Sequence, residues 1–174
     1  IDYLSVLIVM MIFFVISFIT NIIGPLVPDF IQFFDLSFVL ASFLPLSFFI
    51  AYGLFSIPSG IILEKTGNKQ MIFFAFALSF IGALTIIIFK TYTSLLFSFF
   101  LIGTGMAILQ VVINPLLRVS VSPQNFAFFS VIGQLVFGFA SFLSPIFYKS
   151  IVQSSEVNAY SFFADSPWVL IYLS

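Results

Sequence analysis

Five long apolar runs, separated by short polar breaks, make up most of the chain: Leu4–Val27, Leu36–Leu63, Met71–Phe89, Thr93–Leu117 and Asn125–Phe147. Each is close to the length a helix needs to cross a bilayer, about 20 residues at about 1.5 Å rise. A sixth run starts at Trp168 in "SPWVLIYLS". Strands are the competing reading, because Phe, Ile and Val favour them. Membrane strands, however, alternate apolar with polar residues over roughly ten positions. These runs are apolar on every side and longer than that, so the pattern predicts an all-α membrane protein. A helix ending halfway across hydrocarbon would leave its last carbonyls unpartnered. The chain is therefore expected to be part of a longer protein, cut within its sixth span.

Composition agrees with lipid as the main solvent. The chain is 62% hydrophobic and 6% charged, with mean hydropathy +1.29, whereas a soluble domain carries about 25% charged residues. The opening "IDYLSVLIVMMIFFVISF" has no basic segment and no small-residue cleavage site, so it reads as a retained span. Net charge is −1, with no basic stripe, which argues against a nucleic-acid partner. There is no cysteine and no histidine. That removes disulfides, thiolate catalysis, Cys-type metal sites and the usual general base. No metal or cofactor is expected, and an enzyme is the least favoured reading, because no acid–base pair stands out.

The few charges suggest an orientation. Lys65, Lys69 and Arg118 fall in the two breaks on one side of the membrane, while Asp29, Asp35, Lys90 and Lys149 fall on the other. The positive-inside rule makes the first side cytoplasmic, and with it the N-terminus. Tyr92, Tyr148, Tyr160 and Trp168 sit near span ends, as an interfacial aromatic belt does. Asp29 and Asp35 read as solvated interface charges.

The candidate chemistry is a set of amides. In "LIGTGMAILQVVINPLLR", Gln110 and Asn114 are four residues apart and share a helix face. Pro115 has no amide proton and crowds the carbonyl of Val111, which predicts a kink. Lipid offers these groups nothing, so the face is expected to point into the protein or a wet cavity. Asn21 and Gln134 are the other amides in the facing spans. For each, interhelical bonding at about 0.6 kcal/mol competes with substrate binding, and for Asn114 the structural role is the favoured one. Tyr52 reads as a packing or lipid-facing residue, and Gly103, Gly105, Gly133 and Gly138 as points of close helix approach. No ionisable residue lies in the middle of a span, so a proton-coupling group is not expected in this half.

The most specific motif is "GIILEKTGNK", Gly60 to Lys69. Gly60 is read as a site of close helix packing, Gly67 as a turn residue. Glu64 is read as the acidic partner of a helix N-terminus or a basic group. The segment resembles the signature loop between the second and third helices of the major facilitator superfamily. Gly60, Glu64, Lys65, Gly67 and Lys69 match that signature; Asn68 stands where an arginine is common, and Glu64 replaces the more usual aspartate. "ILQVVINPLL" is similar to the fourth helix of the fucose permease and glucose/galactose transporter branch. "FITNIIGPLVP" is similar to its first helix, in which an asparagine precedes an extended, proline-containing exit. That pattern has an aspartate at the position of Gly24 and a glutamate at that of Gln110, so both carboxylates are missing here.

The resemblance implies that residues 1–174 are the N-terminal six-helix bundle of a two-bundle, multi-pass transporter of the cytoplasmic (inner or plasma) membrane. It implies helices one, four and five bordering a central cavity. Asn21, Gln110, Asn114 and Gln134 are then candidate substrate-binding residues, Pro115 a helix kink, and Gly60, Glu64, Lys65, Gly67 and Lys69 a conformational gating loop. The implied partners are a small polar solute such as a hexose, a coupling ion and the lipid bilayer, with a monomer as the working unit. The carbohydrate transport would be symport or facilitated. An exporter of amphipathic drugs with the same fold, and a membrane scaffold without transport, are the alternatives.

Overall fold

The computed structural model describes residues 2–157, with side chains as far as residue 151. The run beginning at Trp168, Tyr160 and most of the polar stretch before that run lie outside the described residues. Five helices follow one another: α1 Tyr3–Phe34, α2 Phe38–Thr66, α3 Asn68–Phe89, α4 Tyr92–Ser120 and α5 Pro123–Val157. All five are long and apolar enough to cross a membrane, and no strand occurs among the described residues. The all-α membrane fold expected from the pattern is the one observed.

Short side chains start the helices where the apolar runs begin. Asp2 accepts from the Ser5 amide, Ser37 from the Leu40 amide, and Thr91 and Ser94 cap one another's backbone reciprocally. One residue, Gly67, separates α2 from α3, with φ 86° and ψ 163°. That conformation is essentially confined to glycine.

Two expectations at the end of the first span need correction. The segment after Asn21 is not an extended exit: α1 continues through Pro25 and Pro28 to Phe34. The carbonyls of Asn21 and Gly24 lose their i+4 donors to these prolines, but packing against α4 and α5 keeps the segment helical. Asp29 consequently sits within α1, half-buried, and accepts a hydrogen bond from the Tyr148 hydroxyl of α5. It is not a freely solvated loop charge. Asp35 is exposed, at the left-handed C-cap of α1.

Helix α4 is the hub. Ile102–Leu109 is buried without a break, because small residues let neighbours approach from several sides. A methyl group at Gly103 would overlap the Phe48 backbone of α2, and one at Gly105 the Ser79 hydroxyl and Ala75 carbonyl of α3. On α5, Gly133 receives the ring of Phe13 from α1. Gly138 has open space around it and serves no such contact among the described residues.

Contacts fix the helix directions. Leu40 meets Tyr92, Ser47 meets Leu96 and Gly60 approaches Val111, so α2 and α4 are parallel. Phe13 meets Gly133, Ser17 meets Phe137 and Asp29 meets Tyr148, so α1 and α5 are parallel. Phe30 packs edge-on against Phe99 while the Asp2 amide donates to the Ser120 carbonyl, so α1 and α4 are antiparallel. Serine hydroxyls tie these pairs: Ser17 to the Phe137 carbonyl at 2.6 Å, Ser144 to that of Phe18 at 2.8 Å and Ser47 to that of Leu96 at 2.9 Å. Outward faces are apolar, with Phe73, Phe80, Phe128 and Phe142 all exposed, as lipid-facing helices require.

Candidate functional site

Four helices border an open cavity of about 260 Å3. Helix α1 contributes Phe13, Ile16 and Thr20, spaced three and four residues apart and hence on one face. Helix α2 contributes Phe49 and Tyr52, α4 contributes Gln110, and α5 contributes Gln134 and Phe137. The walls are largely aromatic, and the polar groups among these residues are a hydroxyl, a phenol and two amides, none of them charged.

The decisive feature is a pair of oxygens without partners. Thr20 Oγ1 and Gln110 Oε1 are both buried and make no hydrogen bond among the described residues. Leaving such a group unpaired costs about 1–3 kcal/mol. Native structures tolerate that mostly where water, an ion or a ligand supplies the partner. Ser98 Oγ is also unpaired, but Ser98 does not line this cavity.

The amides singled out in the sequence separate into two groups. Gln110, half-buried, and Gln134, exposed on its own helix, meet at the cavity. Asn21 does not line it: its amide nitrogen donates to the Ser17 carbonyl at 2.8 Å and to the Ser17 hydroxyl at 3.4 Å. Since the Ser17 hydroxyl in turn donates to α5, Asn21 belongs to the α1–α5 tie. Asn114 and Pro115 are exposed, one turn beyond Gln110, and do not line the cavity either. Helix α4 continues through Pro115 to Ser120.

Two cavity residues were not among the sequence candidates. Tyr52 is half-buried and stacks on Phe48 one turn earlier, ring centroids 6.2 Å apart, which turns it inward instead of to lipid. Thr20 gave no signal, because a helical threonine ordinarily returns its hydroxyl to the carbonyl four residues back.

In the α2–α3 loop, Glu64, Lys65, Gly67 and Lys69 are exposed. Glu64 has no hydrogen-bond or ion-pair partner among the described residues. The close approach expected at Gly60 is absent: an added methyl would lie 3.9 Å from a Val111 methyl, an ordinary contact. The tight crossing of α2 on α4 lies further along, at Gly103.

Comparison with known proteins bears on this arrangement of helices and loop. Residues 9–173 match the sequence profile of the Major Facilitator Superfamily. The chain belongs to this superfamily. Among curated proteins it is similar to two described as "Glucose/galactose transporter", from Brucella abortus biovar 1 (strain 9-941) and Brucella abortus (strain 2308). Each is 25% identical over 171 residues, covering 94% of this chain and 42% of the relative. The chain thus spans less than half the length of the curated relatives it matches. No solved structure matches it.

Proposed function

We propose that this chain forms the N-terminal half of a transporter that carries a small, neutral, polyhydroxylated solute, a hexose or a similar polyol, by alternating access. The observation carrying this reading is the unpaired Gln110 Oε1 in an uncharged, aromatic-walled cavity. An amide oxygen there accepts from a hydroxyl donor, and Phe13, Phe49 and Phe137 offer apolar faces to a sugar ring. The cavity's polar groups, a hydroxyl, a phenol and two amides without any charge, suit a neutral polyol better than a cationic drug. The names of the two relatives point the same way.

In this reading Gln110 and Gln134 bind solute, with Asn21 positioning α1 against α5 through Ser17. The α2–α3 loop, with Glu64, Lys65 and Lys69 free of partners among the described residues, makes alternating contacts with the second bundle. The working unit is a monomer in the cytoplasmic membrane with its N-terminus in the cytoplasm. Any coupling ion is bound chiefly by the other half.

The test is uptake by the full-length protein in proteoliposomes, with a thermal-shift panel of hexoses, polyols and lipophilic cations. Gln110→Ala is expected to raise KM for the transported sugar roughly tenfold, the worth of about one hydrogen bond to a buried group. Stabilisation by lipophilic cations alone would replace the sugar reading with that of a drug exporter.

A further inference from the structure

Thr20 departs from the usual pattern of helical hydroxyls in this chain, and the one other buried hydroxyl without a partner among the described residues, Ser98, does not line the cavity. Thr66, Ser79, Thr85, Thr104, Ser120 and Ser130 each donate to the carbonyl four residues earlier. Thr20 makes no bond and has its buried oxygen at the cavity. Its β-branched side chain is confined to two main rotamers in a helix, so the hydroxyl has few directions open to it.

A second observation, independent of the first, concerns its place in the sequence. "FITNIIGPL", Phe18 to Leu26 in α1, aligns without a gap on "ILQVVINPL", Ile108 to Leu116 in α4. Ile23, Pro25 and Leu26 recur as Ile113, Pro115 and Leu116, and Ile22 is answered by Val112. Burial follows the same register, with Ile22 and Ile23 buried like Val112 and Ile113. In this alignment Thr20 stands opposite Gln110, each five residues before the shared proline. The packing repeats as well: α1 lies parallel to α5 as α4 lies parallel to α2. The two unpaired oxygens therefore occupy equivalent positions on two antiparallel helices and open into one cavity.

We propose that Thr20 is a ligand-binding residue that pairs with Gln110 to hold hydroxyl groups of a neutral polyol from two equivalent points of an internal repeat. This rests on the sugar reading above. The chemistry of the two positions is complementary. Gln110 Oε1 only accepts, so it takes a ligand O–H; the Thr20 hydroxyl both donates and accepts, so it takes a neighbouring hydroxyl in either sense. A carboxylate or ammonium ligand would find no counter-charge on these residues.

The experiment measures equilibrium binding of D-glucose, D-galactose and their single-deoxy analogues to the full-length protein and its Thr20→Val and Thr20→Ser variants. Valine keeps the shape and removes the hydroxyl; serine keeps the hydroxyl. The expected result is a Kd raised roughly tenfold in Thr20→Val and changed far less in Thr20→Ser. One deoxy analogue should bind wild type and Thr20→Val alike, because the hydroxyl that Thr20 held is already missing. Wild-type sugar binding that Thr20→Val leaves intact overturns the role of Thr20 and spares the sugar reading. Absence of sugar binding by the wild type overturns both. Thr20→Cys also allows thiol labelling, measured above the background of the parent protein. If no water-soluble thiol reagent reaches the introduced thiol, with or without sugar, Thr20 is removed from the site whatever the ligand.

Discussion

Gly103 of α4 lies directly against the backbone carbonyl of Phe48 in α2, and even a methyl group at position 103 would overlap that oxygen. Backbone cannot yield as a side-chain tip can, so Gly103→Ala must push the two helices apart. Overpacking of this kind costs about 1–3 kcal/mol. The expected outcome is a clear fall in Tm for Gly103→Ala in detergent. Gly60→Ala is the comparison, since its methyl meets Val111 at 3.9 Å and alanine is the better helix former. It should leave stability, and with it Tm, unchanged or slightly raised, by up to about 1 kcal/mol in free energy. Equal losses at both positions would show that the crossing point is misplaced.

Gly67 supports a different prediction, because nothing crowds it and its backbone alone is restrictive. At φ 86° and ψ 163° it lies outside the left-handed helical region that asparagine tolerates. Gly67→Ala and Gly67→Asn should therefore both destabilise the α2–α3 turn, by about 1–3 kcal/mol. A Tm for Gly67→Asn equal to wild type would mean that the turn relaxes into the ordinary left-handed region.

These two glycines also show what was legible in the sequence. Helix number and type were plain, because lipid demands long apolar runs and forbids unpaired backbone. Gly67 was legible as a turn, since its neighbours are polar and a break was due there. Which glycine admits a neighbouring helix was less so: Gly60, Gly103 and Gly138 look alike in one dimension, and only helix rotation and partner choice separate them. The prolines of α1 misled for a similar reason. Pro25 and Pro28 remove local hydrogen bonds, and packing against other helices decides whether the helix continues. In the cavity, Gln110 and Gln134 were legible because an amide in lipid always needs explaining. Thr20 was not, since a threonine can satisfy itself within its own helix, and only the structure shows that this one does not.

The α1–α5 pair is held by two neighbouring hydroxyls, Ser17 donating to Phe137 and Ser144 to Phe18. Ser17→Ala also removes one acceptor of the Asn21 amide, whereas Ser144→Ala removes a single bond. Interhelical bonds in membranes average about 0.6 kcal/mol. Ser144→Ala should cost about that much and Ser17→Ala somewhat more. The double variant should come close to the sum, because the two bonds share no atom. Chemical denaturation of the detergent-solubilised protein gives the three values, and a Ser144→Ala effect larger than that of Ser17→Ala would contradict the placement of Asn21.

At the far end of the same helix pair, the Tyr148 hydroxyl donates to the Asp29 carboxylate, both residues half-buried. The carboxylate has no lysine or arginine partner among the described residues, so this one donor is its principal compensation within the protein. Removing the donor is therefore worse than weakening the acceptor. Tyr148→Phe leaves a partly desolvated charge and should cost about 1.5–3 kcal/mol, the range for hydrogen bonds to charged groups. Asp29→Asn keeps an oxygen for the tyrosine to donate to and discards the charge, so its loss should be smaller. Once Asp29 is Asn, adding Tyr148→Phe should cost less than it does alone, because the group it strands is neutral. Thermal melts of the two single variants and the double complete the cycle. If Tyr148→Phe costs the same with Asp29 or with Asn at position 29, the pair is not coupled, and α1 and α5 are joined at that end by packing alone.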